Sequence, residues 1–438
     1  MAIEPLRHLA PTSAPAPHRA EPPVTPTVQI DPARIKELTA REAERLDART
    51  QGSAAAYERA KRSLVGGVSS SYQKRAPWPI YLDRGQGQYV WDVDGRQYLD
   101  VHNGIGSMVQ GHAHPLITEA VDRRIRLGSH FAAPTEDTYI VAEHLAARWG
   151  LPRWRFVNSG SEATMDAIRI ARALTGRDGI MKIFGSYHGH HDYVMVDIGL
   201  SVYDGKDREN YPSIAYGKGI PDSVTQMTTA VPFNDAGVLE RRLTSLQSEG
   251  KLPACLIMEA AMMNCGVILP EPGYLADVRR ITKKFGVVWI VDEVKTGLNV
   301  AAGGATELFG IKPDLVCLAK ALGAGIPTGA IGGSDEMWAM VDTGDVYMVG
   351  TFNGNPLVMA AARANLERVM VPEAYAHLSE INTKLLDGAQ GIINRYKLAA
   401  YAVGIESKGT INFAISKVVD YESYKSSQPR ELIDLLWL

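Results

Sequence analysis

The amino-acid sequence predicts an α/β protein whose large domain contains a mostly parallel sheet, with a smaller α+β domain formed from both chain ends. Between roughly residues 115 and 335, short apolar segments bounded by Gly, Pro or Asp alternate with helical patterns, which is typical of parallel strands covered on both faces. A hairpin signal precedes this section, and a mainly helical pattern follows it. The 438 residues are enough for two or three structural units.

The N-terminal quarter is predicted to be an extension followed by part of the small domain. Residues 1–32 contain eight of the 24 prolines, so we expect residues 1–34 to be a disordered extension that forms neither helix nor strand ladder. Residues 35–110 are assigned to the small domain. They begin with one or two helical segments up to Leu64 and continue into a hairpin around the turn Asp94-Gly95.

The large domain is predicted over residues 111–335. Helices are expected between its strands, for example over 162–174 and 275–285, each followed by a terminating glycine. Ligands of such sheets bind beyond the carboxyl ends of the strands, so the residues that follow each strand are candidates for chemistry. The seven predicted strands are 154–157, 180–184, 228–231, 254–258, 287–291, 315–318 and 329–331.

Residues 336–438 are predicted to be the C-terminal part of the small domain. This part is mainly helical after Asn355, with a strand expected at 410–415 and an apolar helix or strand at 432–438.

The amino-acid composition limits the kinds of molecule that the protein is expected to bind. Lys plus Arg (46) nearly balance Asp plus Glu (49), so no basic excess indicates nucleic acid. No apolar run approaches the length of a membrane-spanning helix, and no signal peptide is recognisable. Cys255, Cys265 and Cys317 lack CxxC spacing, which favours buried, reduced thiols in a cytoplasmic protein. We therefore expect a small-molecule partner.

Two predicted strands end in groups that need a partner. Asp292 follows an apolar strand, where a carboxylate is desolvated unless a cation or donor meets it. Lys320 follows another, in surroundings that lower the pKa of its amine and make it a nucleophile. The alternatives are an ordinary ion pair of Asp292 with a neighbouring Lys or Arg, and a lysine whose amine reaches solvent.

A third strand runs into Asn158-Ser159-Gly160-Ser161 and then a helix. Small residues at a helix N-terminus offer hydroxyl and backbone donors to a phosphate, although an ordinary N-cap by Ser159 or Ser161 explains the same residues. Nucleotide sites fit less well. The chain has no GxxxxGK[ST] motif, and the glycines between 323 and 329 have the wrong spacing for a dinucleotide turn.

The segment from Tyr187 to Asp192 combines an aromatic ring with three imidazoles. A metal site built on His188, His190, His191 and Asp192 is one interpretation, but no HExxH motif or second ligand group supports it. A flat ring supplied by Tyr187 or His188 is the better use of this segment.

A reactive lysine, a strand-end aspartate, a phosphate turn and an aromatic ring are what a pyridoxal phosphate site needs. With these features the sequence resembles the class III aminotransferases of fold type I, within the branch of glutamate-1-semialdehyde aminomutases and β-amino-acid transaminases. The resemblance covers about residues 66–356. Its motifs are Gly66-Gly-Val68, Gly111-His-Ala-His-Pro115, Asn158-Ser-Gly-Ser-Glu-Ala163, Tyr187-His-Gly-His190, Asp292-Glu-Val294 with Thr296-Gly297, Leu318-Ala-Lys320, Gly332-Gly333, and Gly350-Thr351 with Gly354-Asn-Pro356.

The resemblance implies a seven-stranded sheet and specific residue roles. Lys320 would form the Schiff base and move the proton, and Asp292 would pair with the pyridinium nitrogen. The remaining implied contacts are Tyr187 stacked on one face of the ring, Val294 on the other face, Ser159, Gly160 and Ser161 around the phosphate, and Glu259 and Asn264 at the ring edge. Thr351 would reach the phosphate of the other subunit, which implies a homodimer with shared active sites.

Departures from the family affect the substrate. Ala260 replaces a proline, and Leu298-Asn299 replaces Phe-Arg. Gln73 stands where the aminomutase has a carboxylate-binding arginine, and Lys74 or Arg75 is the alternative anchor. Family members also usually continue with further small-domain elements, so residues 336–438 are expected to be an incomplete part of that domain.

The sequence therefore predicts a PLP-dependent transaminase that moves an amino group between an amino acid or amine, with a β-amino acid favoured, and a 2-oxo acid. A glutamate-1-semialdehyde 2,1-aminomutase or an amino-acid racemase is the alternative on the same scaffold. A metal-dependent hydrolase is a distant alternative, and the presence of both Lys320 and Asp292 argues against a non-catalytic binding protein.

Overall fold

The computed structural model describes residues 22–23, 28, 31–197 and 207–438. Most of the predicted disordered extension lies outside these residues. The prediction is wrong at its end, because α1 begins at Pro32 and Val28 forms a parallel bridge with Leu398. Asp31 caps the helix by accepting a hydrogen bond from the backbone N–H of Ala33 at 2.9 Å. Pro32 takes a first-turn position, which needs no N–H.

The strands are β1 (Leu82–Gln86), β2 (Tyr89–Asp92), β3 (Gln97–Leu99), β4 (Arg153–Val157), β5 (Ile180–Ile183), β6 (Thr228–Val231), β7 (Cys255–Met258), β8 (Val288–Asp292), β9 (Leu315–Leu318), β10 (Gly329–Gly333), β11 (Tyr401–Ile405) and β12 (Lys408–Asn412). The α-helices are α1 (Pro32–Arg49), α2 (Gln51–Ala60), α3 (Asn103–Gly106), α4 (Pro115–Leu127), α5 (Glu136–Trp149), α6 (Gly160–Thr175), α7 (Asp222–Thr225), α8 (Ala236–Ser248), α9 (Tyr274–Phe285), α10 (Gly304–Leu308), α11 (Asp335–Asp342), α12 (Pro356–Ala364), α13 (Pro372–Tyr396), α14 (Tyr421–Ser427) and α15 (Arg430–Leu436).

The seven predicted strands form one sheet in the order β4-β10-β9-β8-β7-β5-β6. Strands β9, β8, β7, β5 and β6 run parallel, and β10 is antiparallel to both β4 and β9. The predicted mostly parallel α/β sheet is confirmed, with strand ends that differ by one or two residues. Because β4 and β9 both oppose β10, the carboxyl ends of β4, β5, β8 and β9 lie at the same edge of the sheet.

The sheet is buried because apolar helices cover it. Strands β5, β7, β8 and β9 are buried along their whole length. Helix α6 contributes Ala163, Ala167 and Ile170 to the core, and α9 contributes Val278 and Ile281. All three cysteines are buried and unpaired, as predicted. In the described ranges, no helix is long and apolar enough to cross a bilayer.

Two smaller sheets lie outside the large one, and each contains a strand that the prediction missed. The predicted N-terminal hairpin is present as β2 and β3, but β1 pairs with β2 as a third strand. The sequence of β1, Leu-Asp-Arg-Gly-Gln, is polar and mostly exposed, so it carries no alternating apolar signal.

The C-terminal part forms a two-stranded sheet and closing helices. Strand β11 pairs antiparallel with β12 across the turn Glu406-Ser407. The strand predicted at 410–415 is wrong in position, because β12 ends at Asn412 and the apolar residues after it belong to a loop. The apolar segment at 432–438 is mostly helical, as part of α15.

Candidate active site

A cavity of about 340 Å³ opens at the sheet edge where the carboxyl ends of β4, β8 and β9 meet. Nine of the predicted site residues line it: Ser159, Gly160, Ser161, Tyr187, Glu259, Asn264, Asp292, Val294 and Lys320. The structure thus gathers residues that are up to 161 positions apart in the chain, from Ser159 to Lys320.

Asp292 ends β8 and is almost completely buried, with 4% of its surface exposed. Its Oδ2 lies 2.7 Å from Nδ1 of His188, and its Oδ1 accepts a hydrogen bond from the backbone N–H of Val294 at 2.9 Å. Burial lowers the pKa of His188, so a neutral imidazole donates its Nδ1–H to the carboxylate. The partner of Asp292 is therefore a histidine and not the Lys or Arg considered from the sequence.

Lys320 follows β9 and has a left-handed backbone with φ of +46°. A non-glycine residue in this region costs about 1–3 kcal/mol and is concentrated at functional sites. Burial lowers the pKa of the Lys320 amine, Asp292 opposes this effect, and the charge of Lys295 adds to it. The neutral, nucleophilic form of the amine is therefore more accessible than in a solvated lysine.

The N-terminus of α6 forms one wall of the cavity. Ser159 caps the helix by accepting a hydrogen bond from the backbone N–H of Glu162 at 3.1 Å, and Ser161 Oγ accepts from the backbone N–H of His190 at 3.1 Å. Ser159 is thus the N-cap that the sequence left open, whereas Ser161 binds the segment that contains His190. The first-turn N–H groups of a helix have no carbonyl partner within it, so Gly160 and Ser161 can still offer donors to an anion.

Gly160 and Val294 pack directly against each other in the wall of the cavity. A Cβ on Gly160 would lie 3.0 Å from both Cγ atoms of Val294, which is closer than side chains normally approach. Tyr187 also lines the cavity and is 39% exposed. Burial raises the pKa of its phenol, with smaller contributions from Tyr216 and Asp292, so the ring is neutral.

Glu259 and Asn264 lie at the side of the cavity. Glu259 is buried, and its Oε2 accepts a weak hydrogen bond from the backbone N–H of Met263 at 3.3 Å. Burial, with the charge of Asp292, raises the pKa of Glu259 to about 8. The carboxyl group is therefore mostly protonated at neutral pH, and it can donate a hydrogen bond to a ring substituent.

Lys182 is a functional candidate that the sequence prediction missed. It lies within β5, is completely buried, and donates to the backbone carbonyls of Ser186 at 2.8 Å and Val196 at 2.6 Å, with a longer contact to Val194 at 3.5 Å. These carbonyls lie on both sides of the segment that carries Tyr187 and His188. A charged residue within the otherwise apolar sequence Ile-Met-Lys-Ile was a signal that could have identified it.

Two further amines were also missed. Lys295 lines the cavity and donates to the carbonyl of Met263 at 3.0 Å. Lys408, on β12, is half-buried, and burial together with the charges of Lys295 and Lys320 lowers its pKa to about 8. Its place in a hairpin almost 90 residues after Lys320 gave no sequence signal.

Three predicted residues do not line the cavity of this chain. The side-chain oxygen of Gln73 accepts from the backbone N–H groups of Ser69 and Ser70, each at 3.1 Å. The guanidinium of Arg75 stacks on the ring of Trp437 at 4.4 Å. Gln73 therefore stabilises its own turn, and Arg75 has an aromatic partner. Thr351 is exposed in the loop before α12.

The histidine segment does not form a metal site. Nδ1 of His188 is bonded to Asp292, and Nε2 of His191 lies 3.2 Å from the hydroxyl of Thr164. Across the described ranges, no three His, Cys, Asp or Glu side chains are grouped to hold a metal ion. Tyr187 lines the cavity, whereas His188 is hydrogen-bonded to Asp292.

The arrangement fits pyridoxal phosphate. It offers a buried amine of lowered pKa, a carboxylate oriented by two donors, a helix N-terminus for an anion, and an aromatic ring in the cavity wall. The fold and the cavity together define a pyridoxal-phosphate enzyme of fold type I.

Comparison with known proteins identifies the family. Residues 70–414 match the class III aminotransferases, and the chain belongs to this family. A glutamate-1-semialdehyde 2,1-aminomutase of Methanocaldococcus jannaschii is 38% identical over 383 residues, which cover 87% of each chain.

Solved structures agree with this assignment. A glutamate-1-semialdehyde aminomutase variant from Pseudomonas aeruginosa PAO1, in complex with PMP, has a TM-score of 0.85 at 28% identity, covering 93% of this chain and 90% of that one. An ω-transaminase from Sphaerobacter thermophilus has a TM-score of 0.80 at 35% identity, covering 86% and 85%. The predicted family, fold type and cofactor are confirmed.

Proposed function

We propose that this protein is a PLP-dependent aminotransferase that moves an amino group between an amino acid or amine, with a β-amino acid favoured, and a 2-oxo acid. The observation that carries the proposal is the convergence of Lys320 and Asp292 on one cavity beside the N-terminus of α6. We further propose a cytoplasmic homodimer in which Thr351 completes the partner's site, and a small domain built from residues 35–110 and 336–438.

Each residue has a defined task in this reaction. When bound, pyridoxal phosphate supplies an electron-withdrawing ring that stabilises negative charge at the substrate carbon. Lys320 would hold the cofactor through its amine and, once displaced by an incoming amine, would move the proton from the substrate carbon to the carbon that carried the cofactor's aldehyde oxygen. Asp292 has lone pairs left on both oxygens after binding His188 and Val294, so it can accept a hydrogen bond from a protonated ring nitrogen.

The surrounding residues position the ring and the phosphate. Gly160 and Ser161 offer backbone N–H groups to the phosphate, Tyr187 offers its ring face, and Glu259 offers a carboxyl proton at neutral pH.

A second candidate function, that of a glutamate-1-semialdehyde aminomutase, is favoured by the similarity of this chain to such enzymes. Against it, Gln73 replaces the family's arginine and its amide oxygen is used within its own turn. A neutral amide cannot form a bidentate charged clamp on a carboxylate.

The test is an assay of the holoenzyme with α-amino acids, β-amino acids and amines against pyruvate and 2-oxoglutarate, beside glutamate-1-semialdehyde alone. We expect a higher kcat/KM for a β-amino acid than for the semialdehyde. A clear preference for the semialdehyde would establish the aminomutase instead. Borohydride treatment should fix the cofactor on Lys320 in the wild type and not in Lys320→Ala, and a protein that gains no mass contradicts both functions.

A further inference from the structure

Lys408 is placed beside the cavity by contacts of the C-terminal hairpin. The hydroxyl of Ser407 donates to the backbone carbonyl of Asn299 at 2.8 Å, and the Asn299 amide reaches the carbonyl of Gly106 at 3.4 Å. A Cβ on Gly106 would lie 3.0 Å from Nζ of Lys408. The next residue, Ser107, lines the cavity. Lys408 does not itself line the cavity, but its amine lies against Gly106, directly beside the lining residue Ser107.

Among the described residues, the ammonium of Lys408 has no counterion. Lys182 and Lys295 each donate to backbone carbonyls, whereas within the described part of the chain Lys408 has neither a hydrogen bond nor an ion pair for its amine. The charges that act on it are those of Lys295 and Lys320, both positive. A half-buried cation near two other amines is unfavourable until an anion joins it.

The two residues that the sequence offered as carboxylate anchors have other contacts. Gln73 binds its own turn and Arg75 stacks on Trp437. The N-terminus of α6 offers a separate anion site in another wall of the cavity. A carboxylate on the substrate is the anion that an amino-acid transaminase must bind beside its reactive amine.

We propose that Lys408 binds the carboxylate of the substrate and so makes the enzyme selective for amino acids over simple amines. This inference deepens the proposed function and rests on it for the identity of the anion. The ammonium supplies a charge-assisted hydrogen bond from the C-terminal hairpin, and the selectivity arises because a simple amine leaves this cation unpaired.

The first test compares two donors that differ by one carboxylate, 3-amino-3-phenylpropanoate and 1-phenylethylamine, with pyruvate as acceptor. Lys408→Met should lower kcat/KM for the amino acid about 10- to 100-fold, mostly through KM, as expected for loss of a hydrogen bond to a charged group. The kcat/KM for the simple amine should change less than about twofold, which is too small for the loss of one interaction. Lys408→Arg should restore most of the selectivity. Lys384→Met, which changes a surface lysine of α13 paired with Glu380, is the matched control.

The second test measures binding without turnover. The holoenzyme is titrated calorimetrically with 3-phenylpropanoate, which has the carboxylate but no amine. We expect binding by the wild type and by Lys408→Arg, weakened at least about tenfold in Lys408→Met, the loss of one charged hydrogen bond. Equal affinities, no binding by the wild type, or equal losses for both donors would overturn the role of Lys408. If no donor is turned over, the proposed function fails while this titration still decides the carboxylate site.

Discussion

Replacing Lys182 by Met should loosen the segment that carries Tyr187 and His188. The substitution keeps the length of the side chain and removes the ammonium that donates to the carbonyls of Ser186 and Val196 at 2.8 and 2.6 Å. No other donor to these two oxygens is recorded in the described residues. The loss should therefore act on this segment first and on global stability as a consequence.

The expected magnitude follows from these contacts. A buried carbonyl left without its donor costs about 1–3 kcal/mol, so two short bonds correspond to about 2–6 kcal/mol of unfolding free energy. Part of this is offset, because a completely buried ammonium carries a desolvation penalty that Met does not. Asp197, whose pKa burial already raises, also loses a compensating charge, so the net effect remains destabilising.

Urea unfolding of the cofactor-free protein measures the loss, and hydrogen exchange of the backbone amides between 186 and 196 locates it. Lys251→Met, which changes an exposed lysine paired with Glu249, is the control. We also expect weaker binding of pyridoxal phosphate, because the Tyr187 ring is no longer held in place. Unchanged exchange in this segment, or stability within about 0.5 kcal/mol of the wild type, the range of ordinary surface substitutions, would refute the reasoning.

Four further predictions concern the cavity, the segment of Arg75 and the proposed homodimer. Asp292→Asn should keep its contact with the neighbouring imidazole and bind cofactor, yet lose turnover by orders of magnitude; reduced stability with normal turnover would contradict this. Mixing Lys320→Ala with Thr351→Ala protein under subunit exchange should restore part of the activity, because one site of the mixed dimer carries neither change; no recovery despite exchange would exclude shared sites. In the cofactor-free protein the pKa of Glu259 is raised to about 8 from 4.5, so the folded state binds more protons than the unfolded state between these pH values. The free energy of unfolding should therefore fall with rising pH across this window, by up to about 1.4 kcal/mol per pH unit. Glu259→Gln should remove this slope, which chemical unfolding at pH 5 to 8 measures. Arg75→Ala should leave KM for carboxylate substrates unchanged, since the Arg75 guanidinium stacks on an aromatic ring. A KM increase confined to those substrates would show instead that Arg75 binds the substrate carboxylate.

The parts of the structure that the sequence predicts are those where burial leaves a pattern. Asp292 and Lys320 follow uninterrupted apolar strands, and the common polarity of parallel strands brings their ends together. Strand β1 was not predicted, because it is mostly exposed and its pairing depends on β2. Side-chain contacts between distant segments were equally inaccessible: the bond from His188 to Asp292 joins positions 104 apart.

Lys408 shows the same limit at the level of function. Nothing in the sequence around it distinguishes it from a surface lysine of a hairpin. Contacts between distant segments, such as the bond from Ser407 to Asn299, place it beside the cavity wall. Gln73 shows the converse, because its position in a family motif indicated a substrate contact that its local hydrogen bonds do not support.

The position of β10 in the sheet sets the distance between the N-terminus of α6 and the strands that carry Lys320 and Asp292. Neighbouring strands lie about 4.8 Å apart, so the order β4-β10-β9-β8 puts the helix that follows β4 roughly 9–10 Å from the lysine strand and the aspartate strand one spacing beyond. Its glycines permit this spacing, since a Cβ on Gly329 would lie 2.5 Å from the carbonyl oxygen of Ser159. With the roles proposed above, this strand order would suit an elongated ligand with its anionic group at the N-terminus of α6 and its ring nitrogen near Asp292.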